Sequence, residues 1–311
     1  MKKLQERIQK NRQVSYAIIL ICLITVTMAS LAACVNGNKQ DSTVETETTV
    51  SSKEVVMKSD YEVLSEVIEI ADGEDTVYGT LYYPDTDAAT PLIIMCHGYN
   101  GSGDDFKNEA MTYAKNGIAA YTLDFCGGST RSRSSGETTD MTIFTEKSNL
   151  LAAFTYFKDQ ESIDSNNIFL FGGSQGGLVT ALATDELGDQ VAGMALYYPA
   201  LCIPDNWRDT YPELTDIPES NDFWGMTLGY EFFASIHDYE VFDHIGAFSN
   251  GVLIIHGDSD AIVPLSYSEK AVELYADAEL IVMEGEGHGF SATGATTAMN
   301  DVLDFLKENI R

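Results

Sequence analysis

The sequence predicts an α/β fold, with a mostly parallel central sheet flanked by helices. Short apolar strands alternate with helical segments, and several of those strands are apolar without interruption, as in sheets covered on both faces. From Tyr61 onward roughly 250 residues remain, enough for one full core. Segments 61–70 and 76–83 form an opening β-hairpin. Strands then fall at 92–96, 119–124, 168–171, 193–197, 252–256 and 280–283. Helices lie near 105–115, 145–160, 178–186, 267–274 and 297–309, the fourth opened by a capping box of Ser266 and Glu269. Only 200–248 breaks the rhythm. It holds Trp207, Tyr211, Trp224, Tyr230, Phe232 and Phe233 with several prolines, and reads as a cap inserted over the site. A helical excursion packed away from the site is the alternative.

The most informative run is Phe169-Leu-Phe-Gly-Gly-Ser174-Gln-Gly-Gly177, a buried strand, a turn of small residues with a serine at its apex, and then a helix. Gly172-Gly173-Ser174-Gln175-Gly176 fits the Gly-x-Ser-x-Gly nucleophile turn, in which larger residues two places either side of the serine would collide with strand and helix. Such a turn lifts Oγ clear of the sheet and aims the helix N-terminus at the reaction centre. A glycine-rich βα turn without chemistry can match the same five residues by chance. The strand before it and the helix after it favour the nucleophile.

A serine hydroxyl needs a base and an orienting acid, which in this arrangement follow in the order Ser, Asp or Glu, His. The histidines are His97, His237, His244, His256 and His288. The strand Gly251-Val-Leu-Ile-Ile-His-Gly257 leads into Asp258-Ser-Asp260-Ala-Ile-Val-Pro264. Only His288, in Glu284-Gly-Glu-Gly-His-Gly-Phe290, lies beyond that acidic loop. His288 is therefore the expected general base, and His256 a strand residue with a backbone partner. Asp258 and Asp260 compete for the acid. Asp258 stands where a carboxylate commonly braces a turn, so Asp260 is favoured. Pro91-Leu-Ile-Ile-Met-Cys-His-Gly98 is another apolar strand, and the loop after it should donate one oxyanion N–H, the residue after the serine the other. That points to the main-chain amides of Tyr99 and Gln175, with His97 bracing the loop.

Taken together, the serine turn, acid loop, His288 loop and His97-Gly98-Tyr99 resemble the α/β-hydrolase superfamily over roughly residues 61–310. Within it the chain is most similar to the feruloyl/cinnamoyl esterase group and related acyl-peptidase-like hydrolases. Leu123-Asp124-Phe125, the stretch around Tyr239-Glu-Val and Gly287-His288-Gly-Phe290 also carry that likeness. One departure stands out. Relatives often have Asp-x-Arg-Gly-x-Gly-x-Ser where this chain has Asp124-Phe-Cys-Gly-Gly-Ser-Thr130. The resemblance implies a serine esterase for small carboxylic esters, hydroxycinnamoyl esters among them, with a Ser174-His288-Asp260 triad and no cofactor or metal. A peptidase or acylaminoacyl hydrolase using the same triad is the alternative. A lipoprotein that uses the fold for binding alone is the reading from another class.

The N-terminus carries Lys2, Lys3, Arg7, Lys10 and Arg12, then an apolar run over 14–33 ending Leu31-Ala-Ala-Cys34. This reads as a secretory signal over 1–33, and its ending resembles a bacterial lipobox, which implies cleavage before Cys34 and lipidation of its thiol. An uncleaved membrane anchor is the alternative. Either way the catalytic domain, 61–311, is expected outside the cytoplasm, held off the membrane by a disordered spacer over 34–60. The formal charge is −30, and it becomes more negative once the basic leader is removed. Such a field repels nucleic acid and polyanions, leaving a small-molecule ester as the expected partner. Oligomeric state is not legible. Arg131 and Arg133 read as exposed surface residues, with a substrate carboxylate as the alternative partner. Beyond Cys22 and Cys34 there remain Cys96, Cys126 and Cys202, an odd set that argues against a disulfide framework.

Overall fold

The computed structural model describes residues 59–311. The expected leader, Cys34 and nearly all of the spacer lie outside the described residues.

The main sheet has eight strands in the order β1-β2-β4-β3-β5-β6-β9-β10. The hairpin β1 (Val63–Asp72) and β2 (Asp75–Pro84) is antiparallel, and β2 is antiparallel to β4 (Ala119–Leu123). From β4 onward all neighbours are parallel: β3 (Thr90–Cys96), β5 (Ile163–Gly173), β6 (Met194–Tyr197), β9 (Val252–Gly257) and β10 (Ala278–Met283). The uninterrupted apolar strands follow from burial on both faces. Alternate residues of β3 enter different cores, because successive side chains of a strand point to opposite faces. Leu92, Ile94 and Cys96 pack with Leu150 and Phe154 of α2 (Ile143–Lys158) and Leu178 of α3 (Gln175–Leu187). Ile93 and Met95 pack with Tyr113 of α1 (Lys107–Lys115) and with Val302 of α7 (Ala292–Glu308). Strand order reverses at β3, between β4 and β5. Open α/β sheets place their binding crevice at the carboxyl ends of strands beside such a reversal.

Helix starts depart from the sequence reading for local reasons. α2 begins at Ile143 because Thr142 accepts the Thr145 N–H at 3.0 Å while the Thr145 hydroxyl faces the Thr142 N–H at 2.9 Å. α7 begins at Ala292, where Ser291 caps the Gly294 N–H at 3.1 Å, so the weak helix formers that follow are still enrolled. The Ser266–Glu269 capping box does not form. Helix α6 (Leu265–Leu274) starts directly after Pro264 without a side-chain cap.

The 200–248 segment has its own architecture. It contains α4 (Ile203–Thr210), a separate two-stranded sheet of β7 (Ser220–Phe223) and β8 (Met226–Gly229), and the short α5 (Tyr230–Ala234). Trp224 and Gly225 form the hairpin turn with φ of 41° and 81°, both left-handed as a type I′ turn requires.

Candidate active site

Ser174 leaves the end of β5 with φ 54° and ψ −120° and is followed at once by α3. The strain is rare for a residue with a Cβ. It is held by the Ser174 N–H donating to Tyr197 O at 2.9 Å and by the Gly177 N–H donating to Ser174 O at 2.9 Å. The motif's outer glycines are steric necessities. A Cβ on Gly172 would overlap the Gly176 carbonyl, and one on Gly176 would overlap the carbonyl of His97. The turn therefore lets β5, α3 and the loop after β3 meet at one point.

His288, in the loop after β10, has Nε2 2.9 Å from Ser174 Oγ and Nδ1 2.8 Å from Asp260 Oδ2. An ionised carboxylate only accepts, so Nδ1 carries the proton and Nε2 is free to accept from the serine hydroxyl. The ring rests against Tyr198, centroids 4.5 Å apart. The side chain of Asp260 is fully buried. Burial pushes its pKa up, but the N–H of Val263, the His288 ring and the N–H of Ile262 more than offset this and leave it below the ordinary carboxylate range. Asp258 plays a different part. It is exposed, and its Oδ1 accepts the Gly285 N–H at 2.7 Å, bracing the turn that leads to His288.

His256 is buried with Nε2 3.1 Å from Val263 O, the expected backbone partner, and Nδ1 2.7 Å from Ser268 Oγ. Its Nε2 is also 3.2 Å from Asp260 Oδ2, a contact that sequence order does not reveal. Burial lowers its pKa and keeps the ring neutral, so Asp260 Oδ2 receives N–H groups from two histidines. His97 accepts the Phe125 N–H at Nε2 (3.1 Å) and donates from Nδ1 to Gly98 O (2.7 Å). It ties the loop after β3 to the loop after β4.

Tyr99 and Gln175 both border Ser174 in an apolar cavity of about 180 Å³, whose walls include Ala200, Ile203, Trp207 and Trp224. A second, more polar hollow of about 480 Å³ opens on the His288 side, with Asp105, Glu109, Tyr198 and Phe290 among its walls. Residues 200–248 thus furnish much of the apolar wall. The Tyr99 hydroxyl donates to Phe223 O at 2.7 Å, pinning the hairpin to the loop after β3. Behind the serine, the Gln175 side chain meets the buried carboxyl of Glu146, a residue the sequence reading passed over.

Arg133 is engaged within the fold. Its Nε and Nη2 bind the buried Asp124 carboxylate at 2.8 and 2.9 Å, and its guanidinium covers the Tyr78 ring at 4.4 Å. In this chain the Asp124 carboxylate is thus paired with an arginine nine residues after it. Arg131 stays largely exposed, 3.6 Å from Asp105. Cys96, Cys126 and Cys202 are all buried free thiols, so Cys126 and Cys202 do not pair. Among the described residues no group of three or more His, Cys, Asp and Glu is arranged to hold a metal.

The prolyl oligopeptidase family model matches residues 104–311, and the acetyl xylan esterase (AXE1) model matches 40–151. Est1E from Butyrivibrio proteoclasticus, solved with ferulic acid bound, is 26% identical with a TM-score of 0.71, over 78% of this chain and 98% of that one. Acetyl xylan esterase 1 from a Thermoanaerobacterium species shares the fold at 19% identity and a TM-score of 0.60, over 81% and 86% of the two chains. Over 79 residues, 25% of this chain, the sequence is 37% identical to the non-heme haloperoxidase of Rhodococcus erythropolis, covering 29% of that protein. A stretch of 57 residues, 18% of this chain, is 40% identical to the bifunctional esterase/perhydrolase of Acinetobacter calcoaceticus and covers 21% of it. The chain therefore spans less than a third of either curated relative in these matches.

Proposed function

We propose that this chain, which belongs to the prolyl oligopeptidase family, is a serine hydrolase of small carboxylic esters. The observation that carries the proposal is the hydrogen-bonded series Ser174 Oγ, His288, Asp260 at the mouth of a small apolar cavity. Ser174 Oγ attacks the ester carbonyl while His288 Nε2 takes its proton. Asp260 holds the reactive tautomer and stabilises the imidazolium. The oxyanion is received by the N–H groups of Tyr99 and Gln175, each such donor being worth about 2.7–4 kcal/mol in the transition state. His288 then protonates the leaving alcohol, and water releases the acid from the acyl-enzyme.

The cavity volume supports a small acyl group, since an apolar cavity of about 150 Å³ accommodates benzene. A single aromatic ring fits, consistent with hydroxycinnamoyl esters and with the ferulic acid bound to Est1E. Amide cleavage on the same triad is a second reading, favoured by the family the chain matches. A purely binding role is disfavoured because backbone strain at Ser174 has a cost that an inert turn would not need to bear. We place the enzyme outside the cytoplasm, lipidated at Cys34 after cleavage of residues 1–33, on the strength of the basic, apolar, Leu-Ala-Ala-Cys leader. The mature protein should then begin at Cys34 and partition into detergent; an intact N-terminus by mass spectrometry would instead indicate an anchor. Profiling on nitrophenyl acetate, methyl ferulate and aminoacyl amides tests the reaction class. Turnover of amides alone would replace the ester reading, and turnover of none would remove both.

A further inference from the structure

Glu146 sits in the first turn of α2, 1% exposed, with no cation against it among the described residues. Both carboxyl oxygens lie within hydrogen-bond distance of Gln175 Nε2, at 3.0 and 2.9 Å. Gly128 makes room for it, since a Cβ there would come within 3.0 Å of Glu146 Oε1. Gln175 is itself 2% exposed and opens α3 immediately after Ser174. A buried carboxyl aimed at the residue whose main chain faces the reaction centre is an expensive way to fill a core.

We propose that Glu146 is a positioning residue for the reaction at Ser174: its carboxyl group grips the Gln175 side chain from behind, so fixing the Gln175 N–H that faces the oxyanion, and turnover falls when it ionises. The inference rests on the reading of Ser174 as nucleophile. Anchoring matters because the N–H of Gln175 is set by the backbone at the strained turn, and a displacement of about 1 Å at a reacting centre can cost about a hundredfold in rate. Burial pushes the pKa of Glu146 up to about 8, with the Gln175 hydrogen bond acting against that rise. Well below pH 8 the group is neutral. Above it, a negative charge appears behind the site where negative charge must develop, and opposes it.

The groups around it leave that charge unanswered. Cys96 of β3 and Tyr99 of the following loop both feel the Glu146 charge, and burial first, then that charge, raises their own pKa values. Both therefore remain neutral while Glu146 titrates. Gln175 of α3, Met141 beside it and Gly128 carry no charge. The adjacent Lys147 is engaged by Glu186 at 2.6 Å.

The test is the pH dependence of kcat and KM for nitrophenyl acetate between pH 6 and 9.5, on the full chain and its E146Q and E146A variants, with a melting curve for each. Wild-type kcat should fall about tenfold across a midpoint near 8, with KM moving less. E146A should lose about ten- to a hundredfold in kcat at pH 7. E146Q, which keeps an acceptor for Gln175 but cannot ionise, should recover most of that loss and abolish the alkaline fall. An unchanged alkaline fall in E146Q overturns the proposal even if E146A does not fold, and so does a folded E146A with wild-type kcat at pH 7. Activity surviving in S174A, without fluorophosphonate labelling of Ser174 in the wild type, would overturn the mechanism beneath it instead.

Discussion

The ends of the sheet strands and the 200–248 insertion both face Ser174, yet they are held by different forces. At the strand ends position is set by main chain. Asp260 is fixed by two backbone N–H groups and two imidazoles, and Ser174 by hydrogen bonds at its own N–H and carbonyl. Non-glycine residues with left-handed φ gather around the site: Asn100, Ser174, Tyr198, Trp224 and Phe290. Such strain persists only where the surroundings over-determine it. The insertion is instead held by rings. Trp207 lies against Phe233, Phe223 and Tyr211 at 4.7, 5.0 and 6.0 Å, and Phe223 stacks on Trp224 at 4.6 Å. Main-chain fixing gives chemistry its accuracy, while a packed aromatic cluster can change shape by exchanging side chains. The strand ends should therefore determine the rate for every substrate, and the insertion should determine which substrates are used.

The sharpest way to break this contrast is at the serine. S174A should lose turnover by about 10⁴-fold or more and lose fluorophosphonate labelling, with a melting curve close to wild type. Label on another residue would move the nucleophile elsewhere. D260N should cost about 10⁴-fold in kcat by imposing the wrong histidine tautomer. D258N removes one turn hydrogen bond and should cost about tenfold at most; the opposite ranking would exchange the two aspartates. Stability against pH probes the buried acid behind the site. Because its folded pKa is raised from 4.5 to about 8, the native state binds the extra proton between those values. Its contribution to stability is complete below pH 4.5 and is lost as pH rises through 8. Wild-type Tm should accordingly fall relative to E146Q between pH 5 and 9, and a constant difference would refute the buried ionisation.

In the insertion the two tryptophans should part company. Trp224 is 62% exposed, so W224A should lower the kcat/KM ratio of ferulate to acetate esters roughly 10- to 200-fold, equivalent to about 1–3 kcal/mol of lost contact, with Tm nearly unchanged. W207A should do the same and also cost about 3 kcal/mol of stability through its ring partners. Equal losses on both esters would remove the insertion from substrate choice and leave it a structural element.

What was legible in the sequence follows the same division. The strand–helix alternation, the turn at Ser174 and the order of Asp260 and His288 are local patterns, because glycine spacing and strand ends are written in neighbouring residues. The His256–Asp260 contact, the Glu146–Gln175 pair and the Arg133–Asp124 bridge join residues 4, 29 and 9 apart. Their side chains meet only because strands and loops bring them together. The departure from the relatives' pattern over 124–130 was visible, but the Arg133–Asp124 pair was not. The hairpin in the insertion escaped notice for another reason. Its turn is Phe-Trp-Gly-Met, without the Asn-Gly or Asp-Gly that usually announces a two-residue β-turn. The Ser266–Glu269 pattern misled in the opposite sense. That helix begins at Leu265, straight after an extended Pro264, and Ser268 turns inward to His256.

The hydroxyl of Tyr99, 2.7 Å from Phe223 O, makes the insertion something other than a detachable part. One end of that residue borders Ser174 and the other is moored to the hairpin. A replacement hairpin of different length would have to offer a carbonyl at the same place, or leave a half-buried phenol to find a new acceptor and carry its own backbone along. Exchange of this segment between related chains is for that reason a two-site problem, in which transplanted specificity arrives together with a disturbance of the loop beneath it.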